Sequence, residues 1–243
     1  MDKIPALLLA LLITSVIAGN YIFFTTAQIE REKVEIVRVL DGDTVELSDG
    51  RRIRLVNINT PEKKFPYSNL AKDYLSGFIG KEVYLESLGP DKYYRTLGRL
   101  FYDEEYLNRV IIEEGMAHKY LVIDSEENDF AEAEKIAIEK EAGIWDKSQY
   151  YGCIGAEINK YEEYVSITDS CGANFNGWNV KDESTKSYTF KKDFDEAFVL
   201  YSSKGTDTST EVYWGKDKVW NDAGDSIFIR DKSGMLAYYY SYD

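Results

Sequence analysis

The chain has 243 residues, of which 44% are hydrophobic, with 29 Lys and Arg against 43 Asp and Glu, a formal charge of −14 and one histidine. That length and apolar content suit one or two domains with real cores and exclude a disordered chain. The acidity, spread along the chain, excludes binding of nucleic acid through a bulk basic surface, so phosphate chemistry here needs local cations or a metal ion.

Residues Ile4 to Phe24 form a run of 21 residues without a charge. At 1.5 Å per residue it spans a bilayer core of about 30 Å, and Lys3 before it directs residue 28 onward out of the cytoplasm. The length suits an uncleaved anchor, while Thr25-Thr26-Ala27 offers a small-residue cleavage site, so both an anchor and a signal peptide stand over residues 1–27.

From Val34 the pattern turns strand-like. VEIVRVL leads into an Asp41-Gly42-Asp43 turn and then TVELS; Asp49-Gly50 signals a hairpin, and RRIRLVNIN alternates with period two. Tyr67–Ile79 reads as a helix capped by Gly80, with Leu70, Tyr74, Leu75 and Phe78 on one face. Lys81–Ser87 and Gly98–Tyr102 read as the fourth and fifth strands. Tyr106–Glu114 and Glu126–Ala142 read as helices ended by Gly115 and Gly143. Five strands interleaved with helices predict a small OB-type β-barrel with packed helices, an α+β domain over residues 28–152.

Beyond Gly152 helical periodicity stops. Seven short aromatic strands, from EYVSITD to LAYYYSY, recur at roughly ten-residue spacing and predict an antiparallel β-sandwich over residues 153–243. Cys153 and Cys171 fall in this part. Outside the cytoplasm an even count permits a disulfide contributing about 3 kcal/mol, and two buried thiols are the alternative. Trp178, Trp214 and Trp220 read as packing residues rather than stacking platforms.

A lone histidine rules out a His/Cys metal cluster, and Ser-His-Asp hydrolysis would have to use His118, which reads as a surface or strand residue. What remains is a site of oxygen ligands and arginines. Asp41-Gly42-Asp43-Thr44 sets two carboxylates at a tight turn, Arg54 ends the third strand, Asn59-Thr60-Pro61-Glu62 follows, and Asp91-Lys92-Tyr93-Tyr94-Arg95 precedes strand five. Each element alone is common; their order is specific.

In that order the chain resembles the staphylococcal nuclease (thermonuclease) family, through VEIVRVLDGDTVEL, RIRLVNINTPE, DKYYRTLGRL, LNRVIIEEGMA and EAGIW, over about residues 34–147. The resemblance implies an OB-fold and Ca²⁺-dependent hydrolysis of phosphodiester bonds in DNA or RNA. It implies metal binding by Asp43 and by the Thr60 carbonyl, with Asn59 where the family usually has aspartate, which weakens the site by one charge. Asp41 is the candidate to compensate, through water. It further implies catalysis by Arg54, Arg95 and Glu62, the arginines holding the phosphate and Glu62 orienting or deprotonating water, and nucleotide contacts from Lys92 and Tyr93. The alternative is a non-catalytic nucleic-acid-binding or surface-adhesion protein on the same scaffold. EYVSITD, GWNVKDESTKSYTF and the stretch STEVYWG to YSY resemble a lamin-tail domain, which implies an immunoglobulin-like sandwich serving adhesion or targeting to a surface or protein ligand.

Overall fold

In the computed structural model, which describes residues 31–63 and 65–242, β1 (Glu32–Asp41) alternates as the sequence predicts, with Val34, Ile36 and Val39 inward. The alternation skips at Val37-Arg38, both exposed, where the register with β2 (Thr44–Leu47) shifts. A bulge of this kind bends a strand, and a bent first strand lets the sheet curl. β3 (Arg52–Leu55) pairs with β2 and, in parallel, with β6 (Thr96–Tyr102). With β5 (Glu82–Pro90) between β1 and β6, the order β3-β2-β1-β5-β6 closes into a five-stranded OB-like barrel. Gly98 sits at the closure, where an added Cβ would lie 2.6 Å from Leu85 and 2.8 Å from Ile53. Ile36, Val45, Ile53, Leu55, Leu85 and Leu100 fill the barrel.

The predicted strand RRIRLVNIN is divided. Asn57 takes φ +68°, a left-handed conformation that asparagine tolerates, and β4 (Ile58–Asn59) leaves the barrel to pair with β8 (His118–Lys119). The first helix, α1 (Leu70–Ser76), is shorter than its pattern, because Tyr67 has φ +64° and cannot belong to it. A short β7 (Glu105–Tyr106) leads into α2 (Leu107–Glu113), and α3 (Glu127–Glu139) follows. Gly115 and Gly143 have φ of +66° and +53° after these two helices. They abut, with the Ile144 N–H donating to the Gly115 carbonyl at 2.8 Å, and a Cβ on either would strike the other's backbone neighbourhood. The apolar run 4–24 and the 25–27 motif lie outside the described residues. Among the described residues no helix is long and apolar enough to cross a membrane.

Eight strands follow: β9 (Ile154–Asn159), β10 (Tyr164–Asp169), β11 (Asn179–Lys181), β12 (Ser187–Thr189), β13 (Ala197–Tyr201), β14 (Glu211–Tyr213), β15 (Asp225–Arg230) and β16 (Leu236–Tyr242). They make two four-stranded sheets, β14-β13-β10-β9 and β12-β11-β15-β16, around an aromatic core that includes Phe175, Trp178, Phe190, Phe198 and Trp220. Two expectations need correction. β9 carries no clear apolar alternation and is an additional strand; and β13 pairs with β14 in parallel, so the sandwich is not wholly antiparallel. Trp178 and Trp220 are buried, and Trp214 packs partly buried against the same core. Cys153 and Cys171 are joined in a disulfide with Cα atoms 5.7 Å apart.

Barrel and sandwich share a third apolar cluster. Trp145, at the end of the EAGIW stretch, meets Phe228 at 5.8 Å and Tyr239 at 4.8 Å, with Ala137, Ile144 and Leu236 around them. The connecting segment is itself laced into β16: Leu236 N–H donates to the Asp146 carbonyl and Ser148 N–H to the Leu236 carbonyl, each at 2.8 Å.

Candidate active site

The β1–β2 turn carries the first group of residues. Asp43 is 9% exposed. Its carboxylate accepts the Thr44 hydroxyl at 2.9 Å and the Thr60 hydroxyl at 3.3 Å, and pairs with Arg54 Nη2 at 3.1 Å. Burial pushes the Asp43 carboxyl up to about 6, against the pull of Arg54 and with a further push from Asp41. Gly42 is required for this approach, since a Cβ there would lie 2.9 Å from Thr60. Arg54 is fixed further by donating to the carbonyls of Ile58, at 3.0 Å, and Leu55.

The β4 loop carries the second group. Asn59 is buried, and its amide nitrogen donates to the carbonyls of Glu183, at 2.9 Å, and Ser184, at 3.1 Å, on the β11–β12 hairpin of the sandwich. An aspartate has no hydrogen to give those two carbonyls. The departure from the family residue at this position therefore has a structural counterpart: the amide fastens the sandwich to the edge of the site. Glu62, three residues on, is exposed, and among the described residues none hydrogen-bonds to its side chain.

The turn before β6 carries the third group. Asp91 accepts the N–H groups of Tyr93 and Arg95 and braces the Arg95 guanidinium through Nε at 2.8 Å and Nη2 at 2.7 Å. Tyr93 is 66% exposed, with Lys92 Nζ 5.1 Å and Arg95 Cζ 5.5 Å from its ring centre. An exposed ring flanked by two cations is a suitable seat for a base and its phosphate.

All three groups line one cleft of about 1200 Å³. Every residue singled out from the barrel sequence (Asp41, Asp43, Arg54, Asn59, Thr60, Glu62, Lys92, Tyr93 and Arg95) is in its wall. The sequence reading did not single out Tyr120 and Leu121, which follow β8, nor Phe65, nor Thr185 and Ser187 from the sandwich, all of which line it too. Leu121 carried a signal in its apolar character at a turn; it is 73% exposed. Thr185 and Ser187 carried none, because they arrive only through the docking of the sandwich. His118 lies in β8, buried, with Nδ1 on the Lys119 carbonyl; burial and then the Lys181 ammonium hold it well below the ordinary imidazole range, so it is neutral.

Among the described residues no three His, Cys, Asp or Glu side chains are placed so that they could hold a metal ion by themselves. Two adjacent carboxylates, one of them buried, together with backbone carbonyls form a hard-oxygen donor set that suits Ca²⁺ in kind. The remaining ligands would come from water and substrate phosphate.

The staphylococcal nuclease homologue family model matches residues 52–147, a stretch containing Arg54, Asn59, Thr60, Glu62 and Arg95. The chain is 41% identical over 90 residues to an uncharacterized endonuclease of Escherichia coli O157:H7, covering 35% of this chain and 59% of that relative's length. It is 32% identical over 131 residues to an uncharacterized endonuclease of Haemophilus influenzae, covering 51% and 73%. It is 30% identical over 166 residues to the thermonuclease of Staphylococcus intermedius, covering 59% of this chain and 95% of that enzyme. Barrel, cleft and relatives agree, and the chain belongs to the staphylococcal nuclease family.

Proposed function

We propose that this protein is a Ca²⁺-dependent nuclease that hydrolyses phosphodiester bonds of DNA or RNA outside the cytoplasm. The observation that carries the reading is the convergence of Arg54, Arg95, Glu62 and Asp43 on one cleft. Guanidinium groups stay charged at any working pH and match phosphate oxygens in pairs. Arg95, braced by Asp91 through Nε and Nη2, keeps its Nη1 hydrogens for a phosphate. Glu62, on the solvent side after Pro61, takes a proton from the attacking water. Asp43, Asp41 and the Thr60 carbonyl would hold the metal, and Asn59 has only its carbonyl oxygen to offer, its nitrogen being engaged with the sandwich. Bound Ca²⁺ would supply electrostatic stabilisation of the charge growing on the phosphate.

The same proposal divides the chain into an anchor or signal segment over 1–27, a nuclease domain over 28–152 and a lamin-tail-like, immunoglobulin-like module over 153–243 that targets a surface or protein ligand. The uncharged run from Ile4 to Phe24 and the Cys153–Cys171 pairing support an extracytoplasmic location. A second reading, a nucleic-acid-binding protein with a weakened metal site, draws on Asn59.

The test is hydrolysis of single-stranded DNA and RNA by the purified protein, titrated with Ca²⁺ and then EDTA. Cleavage that needs Ca²⁺ and stops in EDTA supports the nuclease. Binding without cleavage by a folded sample at millimolar Ca²⁺ overturns it in favour of the second reading.

A further inference from the structure

A second cavity, of about 300 Å³, lies between barrel and sandwich behind the active-site loop. Its lining overlaps that of the cleft only at Pro61 and Phe65, the residues flanking the segment that presents Glu62. Two cations stand in its wall. Lys181 Nζ donates to the Asp182 carbonyl at 2.9 Å and lies 3.2 Å from His118 Nε2. Since His118 Nδ1 gives its hydrogen to the Lys119 carbonyl, Nε2 is the accepting nitrogen, and Lys181 keeps one hydrogen to spare. Arg230 donates Nη1 to the Gly234 carbonyl at 3.2 Å. Both cations lie against one ring, Phe228, at 5.7 and 5.8 Å.

Among the described residues, neither Lys181 nor Arg230 has a carboxylate within ion-pair distance. The one acid in the wall, Asp231, has both oxygens engaged, by the Ser148 hydroxyl at 2.6 Å and by the N–H groups of Ser233 and Met235. Lys232 adds a third cation to the lining, in a chain whose formal charge is −14. Burial lowers the Lys181 ammonium to about 8 and the Arg230 guanidinium to about 10. Asp182, Glu62 and Asp225 act on Lys181, and Asp231 on Arg230, from beyond ion-pair distance; they offset burial only in part, and an anion seated between the two cations would relieve more of the cost. Phe65, Pro66, Ile144 and Phe228 make the rest of the wall apolar, and the volume is at the small end for organic ligands, about 300–1,000 Å³.

We propose that this pocket binds a small phosphorylated aromatic anion, of the nucleoside monophosphate class, with its phosphate between Lys181 and Arg230 and its base against the apolar wall. The anion site stands on its own geometry; the choice of a nucleotide among such anions rests on the nuclease reading.

The experiment is calorimetric titration of the whole protein in EDTA, without turnover, using a nucleoside 3′-monophosphate, the matching nucleoside and inorganic phosphate. The monophosphate binds saturably and the nucleoside does not. Lys181→Met and Arg230→Met, which keep apolar stems against Phe228, each weaken binding roughly tenfold to a hundredfold, the scale of a charge-assisted hydrogen bond, while Arg95→Ala in the cleft leaves it intact. Thr189→Trp, at an exposed position on the pocket wall, abolishes binding without touching either cation and serves if the charge variants fail to fold. Binding lost in Arg95→Ala and kept in the pocket variants overturns the proposal. So does equal affinity for the uncharged nucleoside, or no saturable binding at millimolar concentration. Loss of hydrolysis in the nuclease assay with this binding intact would fail the nuclease reading alone.

Discussion

Replacing Asn59 by aspartate restores the usual family residue, yet the structure predicts a loss of stability. Wild-type Asn59 gives two partly buried hydrogen bonds to the Glu183 and Ser184 carbonyls. Their net contribution is about 1–3 kcal/mol together, at roughly 0.5–1.5 each. In Asn59→Asp a carboxylate oxygen faces those carbonyls in a site that also holds Asp182, Glu183 and Asp225, a group whose mutual repulsion already contributes to pushing the Glu183 carboxyl, chiefly through burial, up to about 7. The unsatisfied carbonyls bring the expected loss to about 2–4 kcal/mol in the absence of metal. For a folded unit of this size that lowers Tm by roughly 5–15 °C. Scanning calorimetry in EDTA measures it, with Asn59→Ala as the variant that loses the bonds without adding a charge and falls less. Repeating both scans in Ca²⁺ asks whether the new carboxylate recovers stability by joining the metal. An Asn59→Asp protein as stable as wild type in EDTA would refute the argument, since the amide would then hold nothing to the sandwich.

Glu62→Gln and Arg95→Ala should each lower hydrolysis by roughly 10²–10³, with thermal unfolding near that of wild type; near-normal turnover in both would remove them from the chemistry. Arg54→Ala should do the same to activity and also destabilise the fold, because it strips Asp43 of its partner inside the protein; this is read as a lower Tm in EDTA. Glu134, buried and accepting the Lys119 N–H at 2.8 Å, has its carboxyl pushed by burial from the ordinary 4.5 to about 7. The folded state holds that proton after the unfolded chain has released it, so the stabilisation is complete below about pH 4.5 and is lost as pH rises through about 7. Glu134→Gln should therefore match wild type at about pH 4 and exceed it by up to about 3 kcal/mol at pH 8, checked by urea unfolding at both pH values. Trp145→Ala empties the middle of the shared apolar cluster and should cost about 3–5 kcal/mol, with the sandwich and barrel losing structure together in calorimetry.

The barrel and its site were legible because their signals are local. Alternation in VEIVRVL and TVELS, the Asp-Gly turns and the ordered Asp43, Arg54, Glu62 and Arg95 each depend on near neighbours in sequence, and the cleft gathers them. What failed depended on remote partners. β4 separates from β3 because His118 and Lys119 wait to pair with it, and nothing in RRIRLVNIN announces them. α1 starts later than its pattern because Tyr67 takes φ +64°, and α3 ends earlier because Glu141 takes φ +51°. β13 and β14 pair in parallel, joined by residues 202–210 and not by a hairpin, and their short alternating sequences do not distinguish the two directions. Lys181 and Arg230 carry no local signal of the pocket they line, because its other wall comes from the barrel. Asn59 looked like a defect in a metal site because its partners stand more than a hundred residues away.

The join between the two halves leaves no slack. Residues 144 to 148 run from the Trp145 cluster straight into hydrogen bonds with Leu236, so the connection is a weld rather than a tether. A tethered module searches a volume and raises the local concentration of whatever it holds; a welded one fixes direction instead. On the targeting role proposed for the sandwich, the weld would fix the angle at which the nuclease cleft meets the bound surface, so that only strands arriving along that bearing come within reach of Arg54 and Arg95.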